Sequence, residues 1–385
     1  MIRKIPLAWL QLTRERTRLI VALAGIAFAD ILLFMQLGFQ DSLYYSNVRF
    51  HTSLQADIVL ISNQSNSLIS MKSFSQRRLF QALDIKEVDS VHSIYVDITS
   101  WKNPTTGSTR NIFVMGFNPE RNIFNLPGVA ENLDKIKLAD VILYDRSSRL
   151  EFGPIATDFT QGKIVTAEVR RRKVKVGGLF TLGASFGADG NILTSDTNFL
   201  RIFNNNRQPG LIEVGVVQLK PGSNVLQVKE VLEKYLSDEI RVFTKQEYID
   251  FERDFWAKNT AIGFIFTLGA IMGFIVGTVI VYQILYTEVT DHLGEYATLK
   301  AIGYTHRYLL NVIVQESFIL AILGYIPGFG SALFLYQKAR EATLLPIFMT
   351  FERAIIVLIL TILMCFLSGT IAVRKLQAAD PADIF

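Results

Sequence analysis

Cysteine is nearly absent from this 385-residue chain: Cys365 stands alone, so no intrachain disulfide can form. Histidine is scarce as well. His51, His92, His292 and His306 show no metal-ligand spacing with one another or with the cysteine, and no catalytic set emerges around them. The GxxxxGK[ST] pattern of a phosphate-cradling loop is missing throughout. The net charge of +4 is not concentrated into a footprint, which sets nucleic acid aside as a partner. These absences argue against a disulfide scaffold, a metalloenzyme and a nucleotide hydrolase. The chain is expected to be no enzyme and to hold no cofactor or metal of its own; a membrane hydrolase built from scattered residues has nothing in its favour.

What abounds is apolar. Half of the residues are hydrophobic and the mean hydropathy is +0.30. Long apolar runs cover residues 19–39, 261–285, 309–335 and 354–373, each near or above the roughly 20 residues that a membrane-crossing helix needs. The first two are separated by a polar segment of roughly two hundred residues, a domain by the usual size range. The expected architecture is an α-helical membrane protein with four transmembrane helices and an α/β domain inserted between helices 1 and 2. Its parts are an N-terminal helix (1–18), spans at 19–39, 260–285, 308–335 and 354–373, a domain with stalk helices (40–259), loops at 286–307 and 336–353, and a tail (374–385).

Orientation follows from the basic residues near the span ends. Arg3, Lys4, Arg14, Arg16 and Arg18 precede the first run against only Glu15. This predicts both termini in the cytoplasm and the inserted domain on the far side of the membrane. Lys338, Arg340 and Arg353 in the third-to-fourth connection oppose that assignment but are fewer. A cleaved signal peptide is the rival for the first run, yet no small-x-small site follows it. Residues 6–18 read either as an amphipathic helix at the interface, with Leu7, Trp9, Leu10 and Leu12 toward lipid, or as an ordinary positive flank.

In the inserted domain, residues 56–62 and 91–99 have strand composition. The turn-rich NPTTGS at 103–108 and the NIFVMG at 111–116 complete a hairpin. Further strands are expected at 141–144, 163–169, 173–176 and 214–219, and a helix at 224–236. The five glycines of 177–190 mark a loop. In the basic run 170–175, a strand would put Arg171, Lys173 and Lys175 on one face, as a solvated edge or as a docking surface for an acidic partner or anionic lipid. Thr244 and Glu247 fit a capping box. A single helix over 245–285 would be about 60 Å long, twice the roughly 30 Å of hydrocarbon, and would project as a stalk. The first span is read as extending likewise through 40–50.

Gly269, Gly273 and Gly277 lie on one face of the second span and predict close packing by a helix of this chain or of a second copy. Gly324, Pro327, Gly328 and Gly330 predict a kink in the third. Asp30 and Glu316 sit inside apolar runs, where an acid is costly and faces protein or water; they serve hydrogen bonding or the handling of protons or substrate. His292 and Glu295 share a helix face, as a surface contact.

The loop between the second and third runs carries EYATLKAIG at 295–303. It is similar to the glutamate, apolar, small, x, leucine, basic, alanine, aliphatic, glycine motif of the MacB/FtsX superfamily of ABC-transporter permeases. VQESFILAILGYIPG (314–328) and the tail AADPADIF (378–385) resemble that family too. VGGLFTLGASFGADGNILTSD (176–196) with VVQLKPGSN (216–224) resembles the DevC branch of cyanobacterial permeases.

The resemblance implies a homodimer working with a separate ABC ATPase subunit, which would hold the ATP and magnesium. It further implies a membrane-fusion adaptor, a TolC-like outer-membrane channel, and export of a glycolipid or other amphiphile. Within the loop, Glu295, Leu299, Lys300, Ile302 and Gly303 are the expected ATPase-coupling residues. Glu295, Leu299 and Ile302 share one face of the helix that Gly303 ends. Two alternatives stay open: an FtsX-like regulator of a cell-wall hydrolase, and lipid flipping through the bundle, which would make Asp30 and Glu316 essential.

Overall fold

The computed structural model describes residues 7–14, 16–204, 207–292, 294, 295, 298 and 302–378. Helices α1 (Leu7–Arg14), α2 (Arg16–Asn47) and α3 (Arg49–Ser53) come first. Strands and short helices follow: β1 (Ile58–Ser62), β2 (Phe74–Ser75), α4 (Gln76–Gln81), β3 (Val88–Lys102), β4 (Thr109–Phe117), α5 (Leu133–Ile136), β5 (Val141–Asp145), α6 (Ile155–Thr160), β6 (Thr166–Val169), β7 (Arg172–Phe180), β8 (Asn191–Ser195), α7 (Asp196–Ile202), β9 (Leu211–Ile212), β10 (Val214–Leu219), α8 (Val225–Tyr235) and β11 (Ile240–Thr244). The chain ends with α9 (Lys245–Lys258), α10 (Ala261–Asp291), α11 (His306–Thr343) and α12 (Phe351–Ala378). Two compact units result: Met1–Ser42 with Ala261–Thr343 and Ile347–Phe385, and Leu43–Thr260 with Leu344–Pro346.

The second unit is a mixed α/β domain. Nine strands run in the order β11-β1-β10-β3-β4-β8-β5-β7-β6, and a further β3–β6 pairing closes the last six upon themselves. Closure is possible because β3 is 15 residues long. Its beginning pairs with β10, and its end, at Trp101 and Lys102, pairs with β6. Trp101 is fully buried and donates from Nε1 to the Phe152 carbonyl at 3.1 Å. Both sheet faces carry apolar cores, Ile58 and Leu60 in one and Val59 and Ile61 in the other. That explains the unbroken apolar run of β1, whose residues would alternate if one face met water.

The 103–108 hairpin and the 224–236 helix form where the sequence placed them. Both halves of the Thr244–Glu247 capping box are present. Three readings change. The expected glycine loop begins as strand, because Gly177 and Gly178 continue β7 against β5. The helix over 245–285 is two helices, since Asn259, at φ −106° and ψ 2°, ends α9 before Ala261 starts α10. Arg171 leaves the strand face it was expected to share with Lys173 and Lys175, because the β6–β7 turn claims it.

The rest of the glycine segment is held by named contacts. The buried Asp145 carboxylate accepts from the backbone of Ser147 (3.0 Å), Leu182 (3.2 Å) and Gly183 (2.8 Å) and from Asn191 Nδ2 (2.8 Å). Arg49 Nη1 donates to the Leu182 carbonyl and Gly187 N–H to Asn47 Oδ1, at 2.8 and 3.1 Å. Gly183 has φ +97°, and a β-carbon there would run into the Arg49 guanidinium.

A second buried polar cluster joins α3 to α9. Glu252 accepts from Leu68 N (2.8 Å) and Trp256 Nε1 (2.9 Å), and His51 Nε2 lies 3.6 Å from its Oε2. The His51 and Tyr248 rings are 4.3 Å apart. Burial pushes Glu252 up to about 7 and drives His51 down to about 3. A carboxyl held above its usual range contributes stability fully at low pH and loses it as pH rises toward 7; the depressed histidine works the other way, losing its contribution as pH falls toward 3. Glu252→Gln should therefore gain about 2–3 kcal/mol relative to wild type between about pH 4.5 and 8, read by denaturant titration. Parallel pH profiles would rule Glu252 out as the titrating group.

The first unit is helical. Four helices, Arg16–Asn47, Ala261–Asp291, Asn311–Thr343 and Phe351–Ala372, are long and apolar enough to cross a membrane. The first runs on to Asn47, as its sequence suggested, and Pro327 lies inside α11. The third passes residue 335, where its apolar run ends, and stays helical to Thr343. Arg353 is buried and paired: Nε donates to Asp41 Oδ2 at 3.0 Å and Nη1 to the Phe348 carbonyl at 2.7 Å. That pairing explains an arginine at the mouth of an apolar helix.

Candidate functional site

The residues expected to couple, pack or titrate all fall in the helical unit. Gly269, Gly273 and Gly277 form a face of α10 turned toward helices of the same chain. A β-carbon on Gly269 would come 2.5 Å from Gln36 Cδ, one on Gly273 only 3.6 Å from Leu33, and one on Gly277 2.7 Å from Ala29 Cβ and onto the Met364 sulphur. Gly277 is the tight position, because Ala29 Cβ, unlike the Gln36 amide that faces Gly269, cannot swing aside. Gly277→Leu should therefore lower thermal stability in detergent, overpacking costing about 1–3 kcal/mol or more, whereas Gly273→Ala should be tolerated. Equal behaviour of the two by size-exclusion after heating would refute this packing.

Asp30 and Glu316 are both buried. Asp30 accepts from Thr361 Oγ1 at 2.6 Å, which ties α2 to α12. The Glu316 carboxylate has no hydrogen-bond partner among the described residues. The two acids therefore do not form one site with shared partners.

The loop after α10 is tied to the N-terminal helices. Arg14 Nη1 lies 3.0 Å from Glu295 Oε1, and Arg18 Nη1 2.5 Å from Asp291 Oδ2. His292 sits between two carboxylates, with Nδ1 3.1 Å from Glu295 Oε2 and Nε2 3.3 Å from Glu288 Oε1. The spacing of four and then three residues across the end of α10 brings the side chains of 288, 292 and 295 together. Each exposed ion pair is worth about 0.2–1 kcal/mol, so they pin rather than weld. Beside them a cavity of about 240 Å³ is lined by Leu12, Leu19, Ala22, Leu285 and Leu320, with Arg18 and Glu288 also on its wall.

Of the expected coupling residues, Glu295 is half-exposed and engaged with Arg14 and His292. Ile302 is 71% exposed. Gly303 has φ +105°, the left-handed conformation expected of a helix-ending glycine. Leu299 and Lys300, like the tail from 379 onward, lie outside the described residues. The links from Arg14 and Arg18 are an addition of the structure: from sequence these arginines spoke only of orientation. No group of three or more His, Cys, Asp or Glu is placed to hold a metal ion among the described residues. The arrangement presents a charged, pinned surface and leaves the Ile302 side chain exposed.

No curated protein matches the sequence. Among solved structures, the chain is similar to the periplasmic region of MacB from Actinobacillus actinomycetemcomitans, with 12% identity and a TM-score of 0.35 over 52% of this chain and 93% of that one. It is similar to the extracellular domain of the noncanonic ABC-type transporter YknZ from Gram-positive bacteria, with 11% identity and a TM-score of 0.32 over 49% and 99%. A permease-protein domain from Porphyromonas gingivalis gives 14% identity and a TM-score of 0.30 over 49% and 88%. Residues 263–381 match the family described as FtsX-like permease C-terminal. The matched segment contains the EYATLKAIG loop and most of the helices on either side of it.

Proposed function

We propose that this chain is the permease subunit of an ABC-type exporter of the MacB/FtsX superfamily, in the manner of its DevC branch. The observation that carries the reading is the family match over 263–381, which covers the motif-bearing loop. In this scheme α2, α10, α11 and α12 cross the bacterial inner membrane, both termini are cytoplasmic and the α/β domain is periplasmic. Two copies pair, and a separate ATPase subunit grips the loop around Glu295 and Ile302. ATP-driven closure of that ATPase shifts the loop, and Arg14 and Arg18 carry the displacement to α1 and α2 through their acid partners. The periplasmic domain then drives a glycolipid or other amphiphile through a membrane-fusion adaptor into a TolC-like channel, so no cargo need cross the four-helix bundle.

A reporter active only outside the cytoplasm should work when fused after Gly107 and be silent when fused after Gly303. Mild-detergent purification of the tagged chain from native membranes should bring down an ATPase and an adaptor. Activity at Gly303 with silence at Gly107, or capture of a cell-wall hydrolase in place of the adaptor, would refute the reading.

A further inference from the structure

The turn joining β6 to β7 is closed by the pair Val169–Arg172, leaving Arg170 and Arg171 as a two-residue loop. Both have positive φ, 45° and 65°. Hairpins of this length give that conformation to Asn-Gly or Gly-Gly pairs, and long L side chains are disfavoured in it. Two arginines break the local rule, and such conflicts between residue and backbone concentrate at functional positions. For Arg170 a role is visible, since its guanidinium stands 5.1 Å above the Phe203 ring. Arg171 is exposed and makes no such contact; it lines a cleft of about 340 Å³ together with Lys102, Asn103, Thr166, Glu168 and Lys173.

The strand register builds the floor of this cleft. Lys102 pairs across to Glu168 and Glu168 to Lys173, so the three side chains stand in a row. The Lys102 ammonium is 3.5 Å from the Glu168 carboxylate. Lys173 and Lys175 are exposed on the same face of β7.

We propose that this cleft binds a phosphate monoester group, with Arg171, Lys102 and Lys173 as its cationic ligands. Three cations facing one carboxylate leave a surplus of two positive charges, which matches a phosphate monoester near neutral pH. The guanidinium fork suits two phosphate oxygens at once, and the ammonium groups act as point charges beside it. A protein partner is disfavoured by the lining, which lacks the aromatic and apolar centre of a protein interface. The phosphate could belong to a soluble ester or to the headgroup of a phosphorylated amphiphile.

The test uses the full chain in a neutral maltoside detergent, titrated with inorganic phosphate. In a second arm the chain, held in phosphatidylcholine nanodiscs, is floated with phosphatidylcholine vesicles with and without phosphatidic acid. Saturable, salt-sensitive binding of phosphate is expected, or of the phosphatidic acid vesicles alone if the headgroup is required. Arg171→Gly should weaken it by about tenfold or more, yet leave the melting temperature unchanged or higher, because glycine suits a φ of 65°. Lys173→Ala should act in the same direction and Glu168→Gln should tighten binding. Binding to neither probe, unchanged binding by a folded Arg171→Gly protein, or capture of an acidic polypeptide that phosphate does not displace would overturn the proposal.

Discussion

Ile302→Asp is expected to leave the protein folded, membrane-inserted and dimeric while abolishing stimulation of the partner ATPase and cargo export together. The side chain is 71% exposed, so its replacement opens no cavity and strands no buried group. An aliphatic anchor at the centre of a protein contact is worth about 2 kcal/mol or more, roughly thirtyfold in affinity, and an aspartate adds the cost of desolvating a charge. Glu295→Lys should act by a second route, because it also sets a cation against Arg14, now 3.0 Å from the carboxylate. Its defect should be partly relieved by Arg14→Glu, whereas that of Ile302→Asp should not. ATPase turnover of reconstituted complexes and recovery of the partner after mild purification provide the readout. Wild-type stimulation by both single variants would mean that this loop rests on lipid headgroups and contacts no ATPase.

Asp145→Ala should be the most damaging single change in the α/β domain, costing about 3–5 kcal/mol. Four donors converge on that carboxylate, three of them backbone N–H groups, and the substitution leaves all four without their acceptor. The glycine segment would then lose its anchor on the sheet and with it the Arg49–Leu182 contact. Limited proteolysis should cut between 181 and 190 in the variant well before the wild type. Asp145→Asn should be milder, since the amide keeps one acceptor oxygen but opposes an N–H with its own NH₂. Wild-type protease resistance in the alanine variant would show that the segment is held by its other contacts.

Much of this was legible in the sequence because it is local. The apolar runs, the 103–108 hairpin and the Thr244–Glu247 box each depend on residues within a few turns of one another. β8 and β11 were missed for a different reason. Each is masked by its flank, β8 behind a glycine-rich stretch and β11 directly before a helix cap, so neither stood out from its neighbours. The Arg170–Arg171 turn was illegible because its backbone contradicts the usual turn chemistry. In the candidate site, the pairing of His292 with Glu295 could be read, but the Arg14–Glu295 pair spans 281 positions. Nothing in a single sequence couples residues so far apart. The glycine face of α10 was visible, yet only coordinates could give it Ala29 and Met364 as neighbours.

The position of β1 bears on how the domain is made. This strand emerges early, but its neighbours on both sides are β10 and β11, the last strands to be synthesised. Its five residues, Ile58 to Ser62, are all buried in the finished sheet. Until residue 219 has been delivered β1 has no native partner on either edge, and until residue 244 it has one edge open; an unpaired apolar strand is a template for association with other chains. Closing loops of this length also slows folding, since the entropy must be met before the contacts form. The β3–β4 hairpin, by contrast, can form as soon as it is made. The strand order thus favours an early hairpin and a late insertion of β1.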